Sequence, residues 1–507
     1  MSLQTLLALV LATGSFAFAS TLAPSDPDMF WHLASAKWMV EHGQLLSRDP
    51  FSFTARDAPY NVGEWLGQLA FYGAYLAAGW QGIAVLRSLL VAIVTFFAAR
   101  ATLLVQPRPA AAIVPLMVAL LISKTTWSDR PQLFTLALFA VFFAVLVHAH
   151  REGRASRALW ALPPLALVWA NLHPGYAVGI GLLALFTVAA FLERRPHARA
   201  LAPVLVVSTF LTLLSPGTLG LLGAAGHVAR PPRFITEELP PDLFTPAGAF
   251  FAILLVAALA AALVGGESRG ERLAGFPGAP RGRPQAGARG RVTGPHESAS
   301  PEHAAKLASP TLAWAVILPP LVALGLSAQR HLPIAAIGLA PFVARAVPDA
   351  LARLWPRLRL KPSPVAAVRP GLATTFIALL ALSMLAAVRT APGAPDESAY
   401  PRGALASLAR LDGNLLNEYD WGGYLIWNAP EHPAFVDGRL FLFVDSGVLD
   451  DYIAATELRP RFQDVLDRWR VRIALLRPAR PLAVHLRQSG WRVVAEEAGA
   501  FVLLERP

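Results

Sequence analysis

Eleven apolar runs dominate this 507-residue sequence, at 3–20, 81–99, 110–126, 133–149, 159–171, 174–192, 200–214, 247–264, 309–327, 332–347 and 371–389. Most approach the ~20 residues that a helix needs to cross a bilayer. Lipid offers a spanning backbone no hydrogen-bond partners, so such a run must satisfy itself as a helix. Composition agrees: 55% of the residues are hydrophobic and 15% are charged, against about a quarter charged in a soluble protein. The sequence therefore predicts a mainly α polytopic membrane protein with about eleven transmembrane helices. The first run ends in "FAFAS", which is similar to a signal-peptide cleavage site. No basic residue precedes it and ten more runs follow, so it is read as an uncleaved first span.

The connecting segments alternate in charge. "QPRPA", "HREGRASRA", "ERRPHARA", residues 265–308 and "RLWPRLRLKPSPVAAVRP" are basic. Residues 21–80, "WSDRPQ", "NLHPG", 215–246, "SAQRH" and everything beyond 390 hold most of the acids and histidines. The positive-inside rule puts the basic set and the N-terminus in the cytoplasm and the C-terminal tail outside. The net charge of +11 thus belongs to topology, and nucleic acid is not expected as a partner. The chain has no cysteine, which excludes disulfides, thiol catalysis and cysteine metal sites. Residues 265–308 are rich in Gly, Pro and Arg and are expected as a disordered cytoplasmic linker, with anionic lipid headgroups as a second reading.

The first outer loop, 21–80, opens with "SDPDMFWHLASAKWMVEHG". Asp26 suits a helix N-cap, Pro27 the first helical position and Asp28 the first turn. His32 lies four residues after Asp28 and shares its face. Trp31 and Trp38 fit a helix in the headgroup layer. A turn at Asp49-Pro50 leads to a second amphipathic stretch that starts near Glu64 and Trp65. The plain structural readings are a cap for Asp26, a turn former for Asp49 and interface anchors for the tryptophans. Asp28 and Glu64 are harder to explain that way, because acids beside a bilayer are costly without a partner or a task.

From about residue 396 charges rise and short strands alternate with helices. "GNLLNEY" and "PAFVDGR" read as strand-plus-turn units, 446–469 as helical, "VRIALLRP" as a strand, 481–489 as a helix and "WRVVAEEAGAFVLLERP" as a closing hairpin. Residues 391–507 are therefore expected as a small extracytoplasmic α/β domain behind a 1–390 transmembrane domain. Gly422, Gly423 and the Asp437-Gly438-Arg439 run fall at turns, and the structural reading pairs Asp437 with Arg439 or Arg477. The chain holds no Walker A motif, dinucleotide fingerprint or serine elbow.

"DPDMFWHL", "DPFSFT", "GEWLGQ", "DRPQLFT", "WANLHPGYAVG", "SAQRHLPI", "NEYDWGGYLIW" and "FVDGR" together resemble a bacterial group within the GT-C superfamily of integral membrane glycosyltransferases. The likeness runs from about residue 21 to the C-terminus, apart from 265–308. It implies a polyprenyl-phosphate-linked sugar donor within the membrane lipid, an acceptor on the outer face and a bacterial inner-membrane location. It also implies a first-loop aspartate as base, here Asp28 or Asp26, and in some members a divalent cation such as Mg or Mn. Glycosyl transfer needs a carboxylate to take the acceptor proton and cations to hold the departing phosphate. Glu64 is a further acidic candidate. Arg130, Arg330 with His331, and Arg87 near the outer end of its span are candidate phosphate ligands, although Arg87 is also placed to snorkel. Asn171 and His173 are candidates for sugar hydroxyls or a metal, His32 for substrate, and Asp28 with His32 for a metal. Better-known members carry an adjacent Asp-Glu and a His-Pro-Pro-Leu-like stretch. This chain has Asp-Pro-Asp and "GEWLG", which leaves the base and metal dependence open. Two other functions remain at this stage: a lipid-linked glycan transporter, disfavoured because polar groups gather at one end of the spans, and a non-catalytic GT-C scaffold.

Overall fold

A computed structural model describes residues 1–60, 63–218, 236–274, 312–354 and 368–507. Every apolar run falls on a helix. These are α1 (Leu3–Ser20), α3 (Trp65–Val105), α4 (Pro109–Ser123), α5 (Gln132–Glu152), α6 (Leu162–Leu172), α7 (Tyr176–Leu192), α8 (Ala198–Thr212), α9 (Pro246–Ala274), α10 (Leu312–Ser327), α11 (Leu332–Leu354) and α12 (Pro370–Thr390), with α2 (Pro27–His42) in the first loop. Among the described residues, five helical segments are long and apolar enough to cross a membrane, and four shorter helices are apolar. Only 6% of the apolar window of α12 is buried. An apolar helix exposed to that degree needs lipid around it, and the chain is a multi-pass membrane protein.

Helix α3 lies at the centre, with α1 and α5 packed against it, and α11 gathers α4, α9 and α10. The predicted second amphipathic stretch and the next span are the two limbs of α3, separated by a kink where Ala78 and Gly79 leave helical geometry. Helix α9 runs on to Ala274, ten residues into the segment expected as a disordered linker. Its apolar start supplies the nucleus, and the Glu, Arg, Leu and Ala of 265–274 propagate it against the cost of Gly265, Gly266 and Gly270. The rest of that linker, 275–308, lies outside the described residues.

The tail holds a four-stranded sheet of order β1-β2-β4-β3, from β1 (Asn414–Asn417), β2 (Val471–Leu476), β3 (Arg492–Glu497) and β4 (Phe501–Glu505). β1 and β2 are parallel, with Leu415 opposite Ile473, and β3 and β4 form the expected hairpin. The helical 446–469 segment splits into Val448–Thr456 and Phe462–Arg468. "PAFVDGR" is not a sheet strand. Ala434 pairs instead with the first loop, donating to the Phe51 carbonyl at 3.1 Å and accepting from Phe53 N–H at 3.3 Å. The Asn417 side chain takes the next backbone groups, Phe435 N–H and Val436 C=O, both at 2.8 Å. With its polar groups already engaged, this segment has nothing left to offer a sheet. The tail is thereby bonded to the first loop, and its helix α13 (Gly422–Asn428) packs on α2.

Candidate active site

Helix α2 begins as its sequence requires. Asp26 caps it, Oδ1 accepting from Asp28 N–H at 3.0 Å, and Pro27 follows at the first position. Asp28 then projects from the first turn. Its Oδ1 accepts from Trp31 Nε1 at 3.0 Å and its Oδ2 from Arg130 Nη1 at 2.6 Å. Trp31 is thus a buried partner of Asp28 and not an interface anchor. Trp38 is half-buried and stacks on His42. Asp28 and His32 do not pair, despite their spacing. The His32 ring lies against Trp31, tilted by 35°, and its Nδ1 accepts from Gln68 Nε2 at 3.2 Å.

Glu64 stands at the head of α3, between two imidazoles. Its carboxylate oxygens lie 3.7 Å from His32 Nδ1 and 3.4 Å from His173 Nε2. Gly67, one turn on, makes this approach possible: a Cβ there would lie 2.5 Å from the Leu172 carbonyl and 2.9 Å from Pro131 Cβ. The close crossing brings the 130 and 173 loops onto the start of α3. The His173 tautomer follows from its bonds. Gly175 N–H donates to Nδ1 at 2.9 Å, so the ring proton sits on Nε2, facing Glu64.

Burial sets the electrostatics. It pushes Asp28 up to about 6 against the pull of Arg130, with Asp26 adding to the rise. It pushes Glu64 up to about 7, again against Arg130, with Asp28 adding. It lowers His32 well below its usual range, helped by Arg130 and His173, and lowers His173 to about 3, helped by Arg330 and Arg130. Both imidazoles are neutral at pH 7. Two acids titrating near neutrality at one site are poised for proton transfer.

Arg130 is the hub. Besides Asp28 it binds Glu237 Oε2 through Nη2 at 2.6 Å, and its Nε lies 3.3 Å from Asp26 Oδ2. Arg330 pairs with Glu238. Arg87 is not at the site: it is buried against Asp129, with Nη1 2.7 and 2.9 Å from its two oxygens, and also binds the Ala19 and Leu22 carbonyls. Both terminal nitrogens of this guanidinium are engaged, and it ties α1 to α3 away from Asp28. Asn171 is engaged too, accepting from Trp65 Nε1 and donating to the Leu167 carbonyl, both at 2.8 Å. His331 bonds Ser327 through Nδ1 at 2.9 Å. Carboxylates are hard donors that suit a divalent cation, but here three of them face the Arg130 guanidinium. Among the described residues no cluster of His, Asp or Glu is arranged to hold a metal. The residues as placed do not fit a cation, and no step is routed through one.

The tail completes the site. Gly438 touches Asp28, and the flanking Asp437 and Arg439 are fully buried. Arg439 Nε donates to Asp437 Oδ1 at 2.7 Å and Nη2 to Oδ2 at 2.6 Å, while Nη1 reaches Asp49 of the first loop. Asp437 thus pairs with Arg439, the first of its two expected partners. Asp49 also forms the expected turn, accepting from Phe51 N–H at 3.0 Å. Glu237, Gln68 and Tyr419 also lie at the site, and no local sequence pattern assigns them a role there. Burial and the nearby Asp28 and Asp437 carboxylates push the Tyr419 phenol up. The one signal for Glu237 was an unassigned Glu-Glu pair on the acidic side of the chain.

No family model matches the sequence, and neither does any curated protein. Solved structures do. The oligosaccharyltransferase AglB from Archaeoglobus fulgidus, in complex with an inhibitory peptide and a dolichol-phosphate, aligns with a TM-score of 0.53 at 11% identity, covering 99% of this chain and 74% of that one. ArnT from Cupriavidus metallidurans in the apo state aligns with a TM-score of 0.50 at 13% identity, covering 98% and 97%. The same protein bound to undecaprenyl phosphate gives 0.49 at 13% identity, again covering 98% and 97%. At this identity the likeness is one of fold: this chain shares the fold of AglB and ArnT over nearly its whole length.

Proposed function

We propose that the protein is a membrane glycosyltransferase that moves a sugar from a polyprenyl-phosphate-linked donor to an acceptor hydroxyl at the outer face of a bacterial inner membrane, with the tail domain outside. The observation that carries this reading is the Asp28 carboxylate. It stands at the end of the helical layer, pushed up to about 6 by burial, with Arg130 2.6 Å away. Arg330, whose charge is felt at His173, joins the same site.

In the reaction, Asp28 takes the proton of the acceptor hydroxyl as that oxygen attacks the anomeric carbon. The bond from that carbon to the donor phosphate oxygen breaks, and the electron pair leaves on the polyprenyl phosphate. Arg130 and Arg330 meet the charge that develops there. Neutral His173 and Glu64 supply hydrogen bonds to the bound sugar.

The test is transfer by the purified full chain in lipid nanodiscs, supplied with polyprenyl-phosphate sugars and read as release of the carrier phosphate. A deletion strain should lose one glycan or glycolipid modification. An unchanged envelope together with absent transfer would favour the scaffold reading. The orientation has its own test: a reporter fused after Pro507 should be active outside the cytoplasm, and activity confined to the cytoplasm would invert the topology.

A further inference from the structure

Both cations at the site are already answered by carboxylates, and the way they are answered is unusual. Arg130 binds Glu237 through Nη2 at 2.6 Å, and Arg330 binds Glu238. These two glutamates are consecutive and lie in one tight turn, Thr236–Glu238. The turn is pinned beside Arg330 by Gln329 N–H, which donates to the Leu239 carbonyl at 2.9 Å. One short segment thus presents two adjacent anionic groups to the two guanidiniums best placed to hold a phosphate.

Charge makes the arrangement informative. Asp26, Asp28, Glu237 and Glu238 pair with Arg130 and Arg330, while His32 and His173 are neutral. An arriving phosphate would be a further anion in a site where carboxylates outnumber cations. Displacing a carboxylate from a guanidinium removes that repulsion and frees the donors a phosphate needs. Asp26 is committed to its helix cap and Asp28 to Trp31. Glu237 is the most exposed member of the group, with 43% of its side chain accessible. Among the described residues the Glu237 and Glu238 carboxylates each carry a single hydrogen bond, the one to the arginine, so releasing either breaks no other contact.

We propose that Glu237 and Glu238 are an internal stand-in for the ligand phosphate: they hold Arg130 and Arg330 in the unliganded protein, and a lipid-borne phosphate, the diester of the donor or the monoester left after transfer, displaces them. This rests on the lipid-phosphate reading above. It has a consequence for catalysis. Arg130 also blocks Asp28 Oδ2, so a phosphate that draws Arg130 away frees the base. Asp28 becomes able to accept a proton only once the donor is seated, which protects a membrane-edge carboxylate from idle chemistry.

The experiment is equilibrium binding of undecaprenyl phosphate, and separately of inorganic phosphate, to the full chain in nanodiscs. Glu237→Gln and Glu238→Gln should each tighten undecaprenyl phosphate binding by about threefold, and together by about tenfold, the scale of removing competing surface ion pairs. Adding Arg330→Ala to the double variant should erase the gain, which a general loosening of the fold would not do. Thermal unfolding of the variants should match the wild type, which keeps tighter binding separate from misfolding. If the wild type binds undecaprenyl phosphate and the double variant binds it no better, the stand-in is overturned while the lipid-phosphate reading survives. If neither binds, the lipid-phosphate reading falls and takes the stand-in with it. Tightening for inorganic phosphate alone would overturn the assignment to a lipid.

Discussion

Asp28 and Gly438, 410 positions apart in the sequence, are in direct contact: a Cβ on residue 438 would stand 1.9 Å from Asp28 Oδ1 and 3.0 Å from Trp31 Nε1. No side chain fits there without moving the carboxylate. Gly438→Ala is therefore expected to shift Asp28 by about an ångström and lower turnover by up to ~10²-fold, with a modest loss of thermal stability. Gly393→Ala, where nothing lies within 4 Å of the added Cβ, serves as the neutral control. Equal turnover in both variants would remove the tail from the catalytic centre.

Asp26 and Asp28 should separate cleanly on mutation. Asp26 caps α2, a task that asparagine performs about as well, so Asp26→Asn should cost little. Asp28→Asn removes the proton acceptor while keeping size, and general base catalysis is worth ~10²–10⁴-fold. Steady-state transfer assays on both variants decide the matter. A dead Asp26→Asn beside an active Asp28→Asn would move the base to Asp26.

The buried Asp49–Arg439–Asp437 group joins the first loop to the tail, with all three side chains inaccessible. Phe51 lies over the guanidinium at 5.2 Å. Removing one member of such a group leaves uncompensated buried charge, typically costing about 3–5 kcal/mol. Arg439→Met should lower the unfolding temperature sharply and make the tail more sensitive to protease. A variant as stable as the wild type would mean that the tail is held by apolar packing alone.

The helical layer was legible because its signal is local. Apolar runs must become helices in lipid, and each of the eleven did. The start of α2 was legible for the same reason, since Asp26 and Pro27 cap and open a helix by short-range geometry. The site was legible only in part. Asp28, Glu64, His173, Arg130 and Arg330 do converge, but their partners come from far along the chain. Arg87 was read as a phosphate ligand or a snorkelling residue. Its true partner, Asp129, is 42 residues away, and no spacing rule reaches that far. His32 was paired with Asp28 by helical periodicity, but Trp31 has the better donor geometry and took that carboxylate. The docking of "DPFSFT" on "FVDGR" was present as complementary charge, Asp49 against Arg439, without any local pattern to announce it.

The pH dependence of the protein follows from the two raised carboxyls. Asp28 must be unprotonated to act as a base, so kcat/KM should rise with pH through about 6 and lose that limb in Asp28→Asn. Glu64, pushed up to about 7, donates its hydrogen bond only while protonated, so activity should fall again above that value. Glu64→Gln should abolish the falling limb and keep the rising one. Stability runs the same way for both groups. Each binds its proton more tightly when folded than when unfolded, so the folded state is favoured at low pH. That advantage is lost as pH climbs from the unfolded values near 4 through the folded values of about 6 and 7. Glu64→Gln should therefore stabilise the protein at pH 8 by on the order of 2 kcal/mol relative to the wild type, read as a higher unfolding temperature, with little difference at pH 4. Thermal unfolding of both proteins across that range checks the sign. A wild type that gains stability between pH 4 and 8 from this site would show that Glu64 is held ionised by a partner.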